Sequence, residues 1–398
     1  MEIKIHRVLV QFVIDALKKV FEENLYTDKA LEKIFKTNKI LGARDRSFIA
    51  ETCYDLVRYY RKFSFVVKDE TNWWKLIGAY LISKGEELPE WKEFEALDKV
   101  EINERLVRAD NVRVLRESIS DWMDELGVME LGEQWESELS ALNKVAPIVL
   151  RVNTLKISKA KIIDLLAELK INCTESANHN DALIINGRKN VFSTDLFKNG
   201  FFEVQDASSQ LVAEFLQLEP GMRVIDACAG AGGKSIHIAA LMKNKGQLIS
   251  MDIEDWKLQE LRKRSSRNGI QIIETRAITS TKVIKRMDQS ADRLLLDVPC
   301  SGLGVLRRNP DAKWKLDLDF INRVRIIQSD LLDNYSRMVK IKGKMVYATC
   351  SILPTENQTQ IFKFLKRNAS FELEEERIIS PAESGFDGFY MARMIRVS

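Results

Sequence analysis

A segment that runs from an apolar strand through a glycine cluster into a helix constrains this chain more than any other feature. It reads Val224-Ile225-Asp226-Ala227-Cys228-Ala229-Gly230-Ala231-Gly232-Gly233-Lys234-Ser235. Gly230, Gly232 and Gly233 accept positive φ and let a ligand approach the backbone closely. A helix start just beyond them offers unpaired N–H groups to a negatively charged group. The same grammar continues downstream. Strands are predicted over 222–228, 247–252, 271–276, 293–297 and 343–350, with helical stretches such as 234–242, 254–268 and 317–339 between them. Such alternation predicts an α/β, doubly wound, largely parallel sheet that binds its ligands at the carboxyl ends of the strands.

The remainder of the chain follows other rules. Leu9, Phe12, Val13, Ala16, Leu17 and Val20 keep the spacing of one apolar helical face, as do Phe48, Ile49, Cys53, Leu56, Val57 and Tyr60. Asp28 and Asp45 stand where helices could be capped. Residues 1–143 are therefore read as an all-α domain. Near Pro147 the pattern changes. Strands are predicted over 148–152 and 182–185, a helix over 158–170, then an extended stretch over 201–204 leading into a helix near 208–216. Residues 147–220 form a small α+β section, and 221–398 the α/β core. Charge divides along the same line: residues 1–145 carry 23 Lys+Arg against 28 Asp+Glu, and the remainder carries 38 against 30. The basic surplus of the carboxy-terminal part suits a polyanion, although charged helices that merely solvate themselves give the same count.

Two familiar glycine motifs fail in the turn. A P-loop requires glycine where Cys228 stands, and the dinucleotide fingerprint requires its third glycine where Ser235 stands. A nucleoside cofactor of another kind remains, as does a purely structural turn. The second predicted strand ends in Asp252, whose carboxylate suits the paired hydroxyls of a ribose. Two further strands end in thiols: Leu296-Asp297-Val298-Pro299-Cys300-Ser301-Gly302 and Ala348-Thr349-Cys350-Ser351. Buried cysteine is usually inert packing, but thiols at two polar strand ends of one sheet have a chemical use. Carbon 5 of a pyrimidine is a poor nucleophile until a thiolate adds to carbon 6. A base must later remove the hydrogen from carbon 5, and an acid at N3 assists the addition. Two cysteines, an aspartate and a methyl donor bound nearby would meet those needs.

These motifs together resemble the Sun/RsmB-type family of RNA cytosine-5 methyltransferases. The resemblance extends to Arg151-Val152-Asn153-Thr154-Leu155-Lys156, Gln205-Asp206-Ala207-Ser208-Ser209-Gln210, Arg307-Arg308-Asn309-Pro310-Asp311 with Trp314, and Asp387-Gly388-Phe389. It implies a Rossmann-like class I methyltransferase core and S-adenosyl-L-methionine as cofactor. The cofactor would be held by Cys228, Ala229, Gly230, Ala231, Gly232, Gly233, Lys234, Asp252 and Asp297. It implies Cys350 as the nucleophile, Cys300 as the helper in hydrogen removal and release, and Asp297 against the cytosine ring. Residues 1–143, above all Ala43-Arg44-Asp45-Arg46-Ser47-Phe48-Ile49, resemble the NusB-like RNA-binding domain of bacterial members. That points to 16S rRNA, with tRNA as the alternative target and a non-catalytic RNA-binding assembly factor as the alternative role. Arg307, Arg308, Lys313 and Lys315 are expected to contact the RNA backbone, or else simply to be solvated.

The chain departs from the family at Ala231, where proline is usual, and at Gly230, where alanine is usual. Its third core strand, around Glu274-Thr275-Arg276-Ala277, lacks the usual aspartate. Three histidines and five scattered cysteines give no metal-ligand spacing, so no metal is expected, and the thiols are read as reduced, in the cytoplasm. No stretch is apolar enough to span a membrane. The opening Met1-Glu2-Ile3-Lys4 lacks the order of a signal peptide. A monomer is expected.

Overall fold

The structure, a computed structural model, describes residues 5–187 and 189–398. The opening Met1-Glu2-Ile3-Lys4, expected not to be a signal peptide, lies outside the described residues. The chain forms two compact units. One takes in the residues up to Lys144 together with Leu306–Asp317, and the other takes in Val145–Val305 and Leu318–Ser398.

The first unit is helical. Its principal helices are Arg7–Phe21, Thr27–Thr37, Ala43–Arg58, Tyr60–Val67, Trp73–Ser83, Lys99–Asp110, Asp121–Leu131 and Gln134–Leu142. Their apolar stripes meet in a core that includes Val10, Val13, Leu17, Ile49, Leu56, Leu76 and Ile77. Of the two aspartates read as caps, Asp45 accepts from the Gly42 N–H at 3.0 Å. Asp28 instead lies in the first turn of a helix whose N-cap is Tyr26.

The segment Leu306–Asp317 belongs to this helical core, which corrects one expectation. The Lys313 side chain is buried, and its ammonium donates to Arg58 O (3.1 Å), Glu117 O (2.9 Å), Ser118 O (3.3 Å) and Asn143 Oδ1. Lys315 Nζ donates to Asn24 Oδ1 at 2.7 Å and Val20 O at 3.3 Å. Trp314 Nε1 donates to Val57 O at 2.7 Å. Arg307 is buried, its carbonyl accepting from Arg58 Nη2 at 2.9 Å. The ammonium groups of Lys313 and Lys315 are thus engaged by protein oxygens rather than turned out toward an RNA backbone.

The second unit opens with strands β1 (Ile148–Val152), β2 (Cys173–Glu175), β3 (Ala182–Ile185) and β4 (Phe202–Val204), which form an antiparallel sheet in the order β2-β3-β1-β4. Next come β5 (Arg223–Asp226), β6 (Gln247–Asp252), β7 (Ile273–Ala277), β8 (Ala291–Asp297), β9 (Val339–Thr349), β10 (Phe371–Ile379) and β11 (Phe389–Arg396). They form one seven-stranded sheet in the order β10-β11-β9-β8-β5-β6-β7. The strands from β9 to β7 run parallel, and β11 and β10 add an antiparallel end.

Alternate residues of the central strands feed two separate cores. Ile225, Ile249, Leu294, Leu296, Met345 and Tyr347 pack on one face, and Val224, Leu248, Leu295, Val346 and Ala348 on the other. This double burial is why β8 and β9 read as continuous apolar runs. The chain crosses from β5 to β6 on one side and later returns to place β8 on the other. The reversal leaves a crevice at the carboxyl ends of β5 and β8. The glycine turn follows β5, and Asp297 ends β8.

Candidate active site

The glycine turn is fixed by backbone bonds to both neighbouring strands. Ala227 N–H donates to Leu295 O at 3.0 Å, and Ala229 N–H to Met251 O at 2.9 Å. Gly230 has φ +52° and Gly232 φ +85°. A Cβ at Gly232 would lie 1.9 Å from Leu261 Cδ1, whereas one at Gly230 or Gly233 would meet nothing within 4 Å. The turn therefore packs on one side and leaves an open hollow on the other. At its rim Asp252 accepts from Gly230 N–H at 2.8 Å through Oδ2, and from Glu254 N–H at 2.9 Å through Oδ1. An open glycine-lined hollow with a carboxylate at the end of the next strand fits a nucleoside cofactor.

Two arginines brace this turn where the family usually has proline. Arg264 Nη1 donates to Ala231 O at 2.9 Å, and Arg151 Nη1 donates to Gly233 O at 2.7 Å. Arg264 is itself anchored to the buried Glu203. On the third core strand Thr275 accepts from Arg262 at 2.9 Å, and beyond the strand Ile278 N–H donates to Asp252 O at 2.8 Å.

Beneath the turn lies a polar cluster that the sequence reading did not single out. Ser235 Oγ donates to Asp226 Oδ2 at 2.6 Å, and Ser250 Oγ donates to Ser235 Oγ at 3.0 Å. Burial, with the nearby Asp297 charge, pushes the Asp226 carboxyl up to about 7, against the pull of the Ser235 bond. Burial also raises the Cys228 thiol well above its ordinary value, helped by Asp226, Asp297 and Asp252. Cys228 thus behaves as a neutral packing group.

At the carboxyl edge the strands bring together residues distant in sequence. Lys234 Nζ lies 2.6 Å from Asp297 Oδ2 and 5.2 Å from the centre of the Phe389 ring. Burial acts to lower the Lys234 pKa, but Asp297, with a smaller pull from Cys350, leaves it above the ordinary value. Lys234 is therefore a fixed cation beside the thiols. Val298 N–H donates to Ala348 O at 3.0 Å, which continues the β8–β9 pairing toward the two cysteine turns. The Sγ atoms of Cys300 and Cys350 are 3.3 Å apart, a hydrogen-bonded pair. The bond to Cys350 and burial, with the charge of Glu356, hold the Cys300 thiol well above its ordinary pKa. Cys300 therefore keeps its proton beside Cys350.

The turns carrying these thiols are tightly built. Gly304 N–H donates to Cys350 O at 2.9 Å, and Gly388 N–H donates to Gly304 O at 2.8 Å. Glu356, Gln328 and Gly304 support the pair, yet none belongs to a motif readable from spacing.

Comparisons with known proteins identify relatives of the chain. The family model for 16S rRNA methyltransferase RsmB/F matches residues 213–395, and that for the RsmF/B-like ferredoxin-like domain matches residues 120–192. A probable ribosomal RNA small subunit methyltransferase B of Synechocystis sp. is 31% identical, over 92% of this chain and 90% of the relative. The ribosomal RNA small subunit methyltransferase B of Pseudomonas syringae pv. tomato is also 31% identical, over 74% of this chain and 69% of its own. The crystal structure of PH0851 covers 100% of both chains with a TM-score of 0.83 at 24% identity, a likeness of fold. Identity and coverage of this extent show that the chain belongs to the RsmB family of ribosomal RNA small subunit methyltransferases, which depend on S-adenosylmethionine.

Proposed function

We propose that this protein methylates carbon 5 of a cytosine in 16S rRNA through a transient bond between Cys350 and the base. The observation that carries the reading is the approach of two thiols, from the ends of two parallel strands, to 3.3 Å beside the Lys234–Asp297 pair. Packing alone has no need of two cysteines, a lysine and an aspartate at one ligand-binding edge.

The residues suit the following sequence. The Cys350 thiolate bonds to carbon 6, and the electron pair of the 5,6 double bond becomes available at carbon 5. Asp297, paired with Lys234, meets the ring at N3 and relays a proton from the Lys234 ammonium, which draws electrons from carbon 6; the proton returns when the double bond is restored. S-adenosylmethionine, held by the glycine turn and Asp252, supplies an electrophilic methyl group and is left as S-adenosylhomocysteine. Cys300, its own proton given up to solvent once Cys350 is bonded to the ring, takes the proton from carbon 5 as a thiolate. The pair from that bond restores the double bond, and the bond from sulfur to carbon 6 breaks to return the Cys350 thiolate. Overall a ring hydrogen is replaced by methyl and one proton is released. A base must leave its stack to reach these thiols, which favours an unpaired or loop cytosine. The helical unit serves RNA binding in this reading, in the cytoplasm where rRNA is assembled.

The test uses two variants and a small-subunit rRNA transcript. Cys350→Ala abolishes methyl transfer and forms no adduct. Cys300→Ala accumulates an RNA–protein adduct that survives denaturing electrophoresis. Turnover by Cys350→Ala, or adduct in that variant, would refute the assignment.

A further inference from the structure

Glu356 is fully buried, yet nothing in the reaction above uses it. Its carboxylate accepts three hydrogen bonds from three parts of the chain. Ser301 N–H donates to Oε2 at 2.8 Å, Ser351 Oγ donates to Oε1 at 2.6 Å, and Gln328 Nε2 donates to Oε2 at 2.9 Å. Ser301 directly follows Cys300, and Ser351 directly follows Cys350. The two serine hydroxyls also meet each other at 3.1 Å. Gln328 holds the Cys300 turn a second time, through Pro299 O at 2.9 Å. The anchor is itself clamped, because Tyr347 OH donates to Glu356 O at 2.6 Å. A carboxylate is costly to bury without donors. This one has its donors, and two of them come from the residues beside the two thiols.

We propose that Glu356 is a positioning residue: its carboxylate ties the Cys300 turn to the Cys350 turn and so sets the spacing on which release of the RNA adduct depends. The proposal rests on the cysteine-adduct reading above. Strands β8 and β9 pair as far as Asp297 and Ala348. Beyond them, among the described residues, only the backbone bonds Val298 N–H to Ala348 O and Gly304 N–H to Cys350 O link the two turns, so the side chains there gain from a common support. The carboxylate offers one oxygen to each side, Oε2 to Ser301 N–H and Oε1 to Ser351 Oγ. The anion also orders the two thiols in time. Its charge, with that of Cys350, keeps the proton on Cys300 during the attack. Once Cys350 is bonded to carbon its own charge is gone, so Cys300 can give up its proton to solvent and, as a thiolate, accept the proton from carbon 5.

The experiment compares Glu356→Gln, Glu356→Asp and Ser351→Ala with the unaltered protein and with Cys300→Ala. Each is measured with the small-subunit rRNA transcript and S-adenosylmethionine. Glutamine keeps the shape, but one of its two polar atoms becomes a donor facing donors. Turnover should fall at least about tenfold, in line with the cost of misplacing reacting groups. Adduct should accumulate as it does in Cys300→Ala, while cofactor affinity stays within about twofold. The acid limb of the pH–rate profile should move to lower pH in Glu356→Gln and stay in place in Glu356→Asp, which retracts the carboxylate but keeps its charge. A merely structural role would reduce the folded fraction and leave adduct fraction and pH profile unchanged per folded molecule. If Glu356→Gln does not fold, Ser351→Ala decides, because it removes the tie on the Cys350 side, together with the Ser301 contact and the bond from Leu353 N–H, and should also accumulate adduct. Unaltered turnover and adduct fraction in the folded variants overturn the proposal. Turnover by Cys350→Ala instead overturns the underlying reading, so the two failures are distinguishable.

Discussion

Replacing Gly304 by alanine should disable the enzyme while leaving its cofactor affinity intact. The added Cβ would lie 2.3 Å from Gly388 O and 2.7 Å from Cys350 O, both backbone atoms. Neither can retreat freely, because Cys350 O accepts from Gly304 N–H and Gly388 N–H donates to Gly304 O. Relieving the contact requires a carbonyl shift of about 0.7–1.1 Å to reach ordinary Cβ distances. The loss of about one backbone hydrogen bond, with the overpacking itself, amounts to about 2–4 kcal/mol. The larger effect is on rate. A shift of this size at the Cys350 carbonyl is comparable to the slack in a 3.3 Å thiol pair. A misplacement of about 1 Å costs about 100-fold. The assay is single-turnover methyl transfer to the rRNA transcript with saturating cofactor, normalised to folded protein by near-ultraviolet circular dichroism. Calorimetric titration with S-adenosylmethionine serves as the control. A folded Gly304→Ala protein with turnover within threefold of the unaltered one would show that the backbone approach does not set the thiol geometry.

Three other outcomes follow from the same geometry. Arg264→Ala removes the brace on Ala231 O, so affinity for S-adenosylmethionine should weaken about fivefold to tenfold, the worth of about one hydrogen bond; unchanged affinity by calorimetry would remove the brace from the account. Lys313→Ala leaves three carbonyls and Asn143 Oδ1 without their buried donor, and should destabilise the helical unit by about 2–4 kcal/mol in urea, read by tryptophan fluorescence. The third outcome concerns pH. Burial lowers His237 from 6.5 to about 4, so the unfolded chain takes its proton first and about 3 kcal/mol is lost as pH falls from 6.5 to 4. Burial raises Asp226 from 3.8 to about 7, so its contribution, about 4 kcal/mol, is present at low pH and lost as pH rises through that window. Asp226→Asn should therefore gain stability relative to the unaltered protein between pH 4 and 7, and parallel urea midpoints across that range would contradict the assigned cause.

The parts of the fold legible in the sequence were those governed by local pattern. The expected strands at 148–152, 182–185 and 247–252 coincide with β1, β3 and β6. Each is an apolar run whose ends are marked by polar or glycine positions. The antiparallel end of the sheet was not foreseen, because β10 reads Phe-Glu-Leu-Glu-Glu-Glu-Arg-Ile-Ile, a charged run with little apolar alternation. Charges of this kind are how an edge strand resists pairing with another chain, and they mask it from a search for apolar periodicity. In the candidate site, Lys234, Asp297, Cys300 and Cys350 could be picked out because each sits at a strand end or helix start of a recognisable type. Glu356 and Gln328 could not, since their meaning depends on which turns pack beside them. The misreading of Lys313 has the same origin. Its acceptors lie 170 to 255 positions away in the chain, and a lysine in a short basic loop carries no local sign that it will be enclosed.

The excursion Leu306–Asp317 has a consequence for how this polypeptide matures. On a translating ribosome the first 144 residues emerge long before the dozen that complete their core. Until then the cavity destined for Lys313 and Trp314 has no occupant, so the amino-terminal bundle waits in an unfinished state while the sheet is still being made. A truncated product ending at Lys144 would inherit that gap permanently. Grafting the bundle onto another enzyme, by design or by recombination, would require carrying over two separate stretches of gene rather than one.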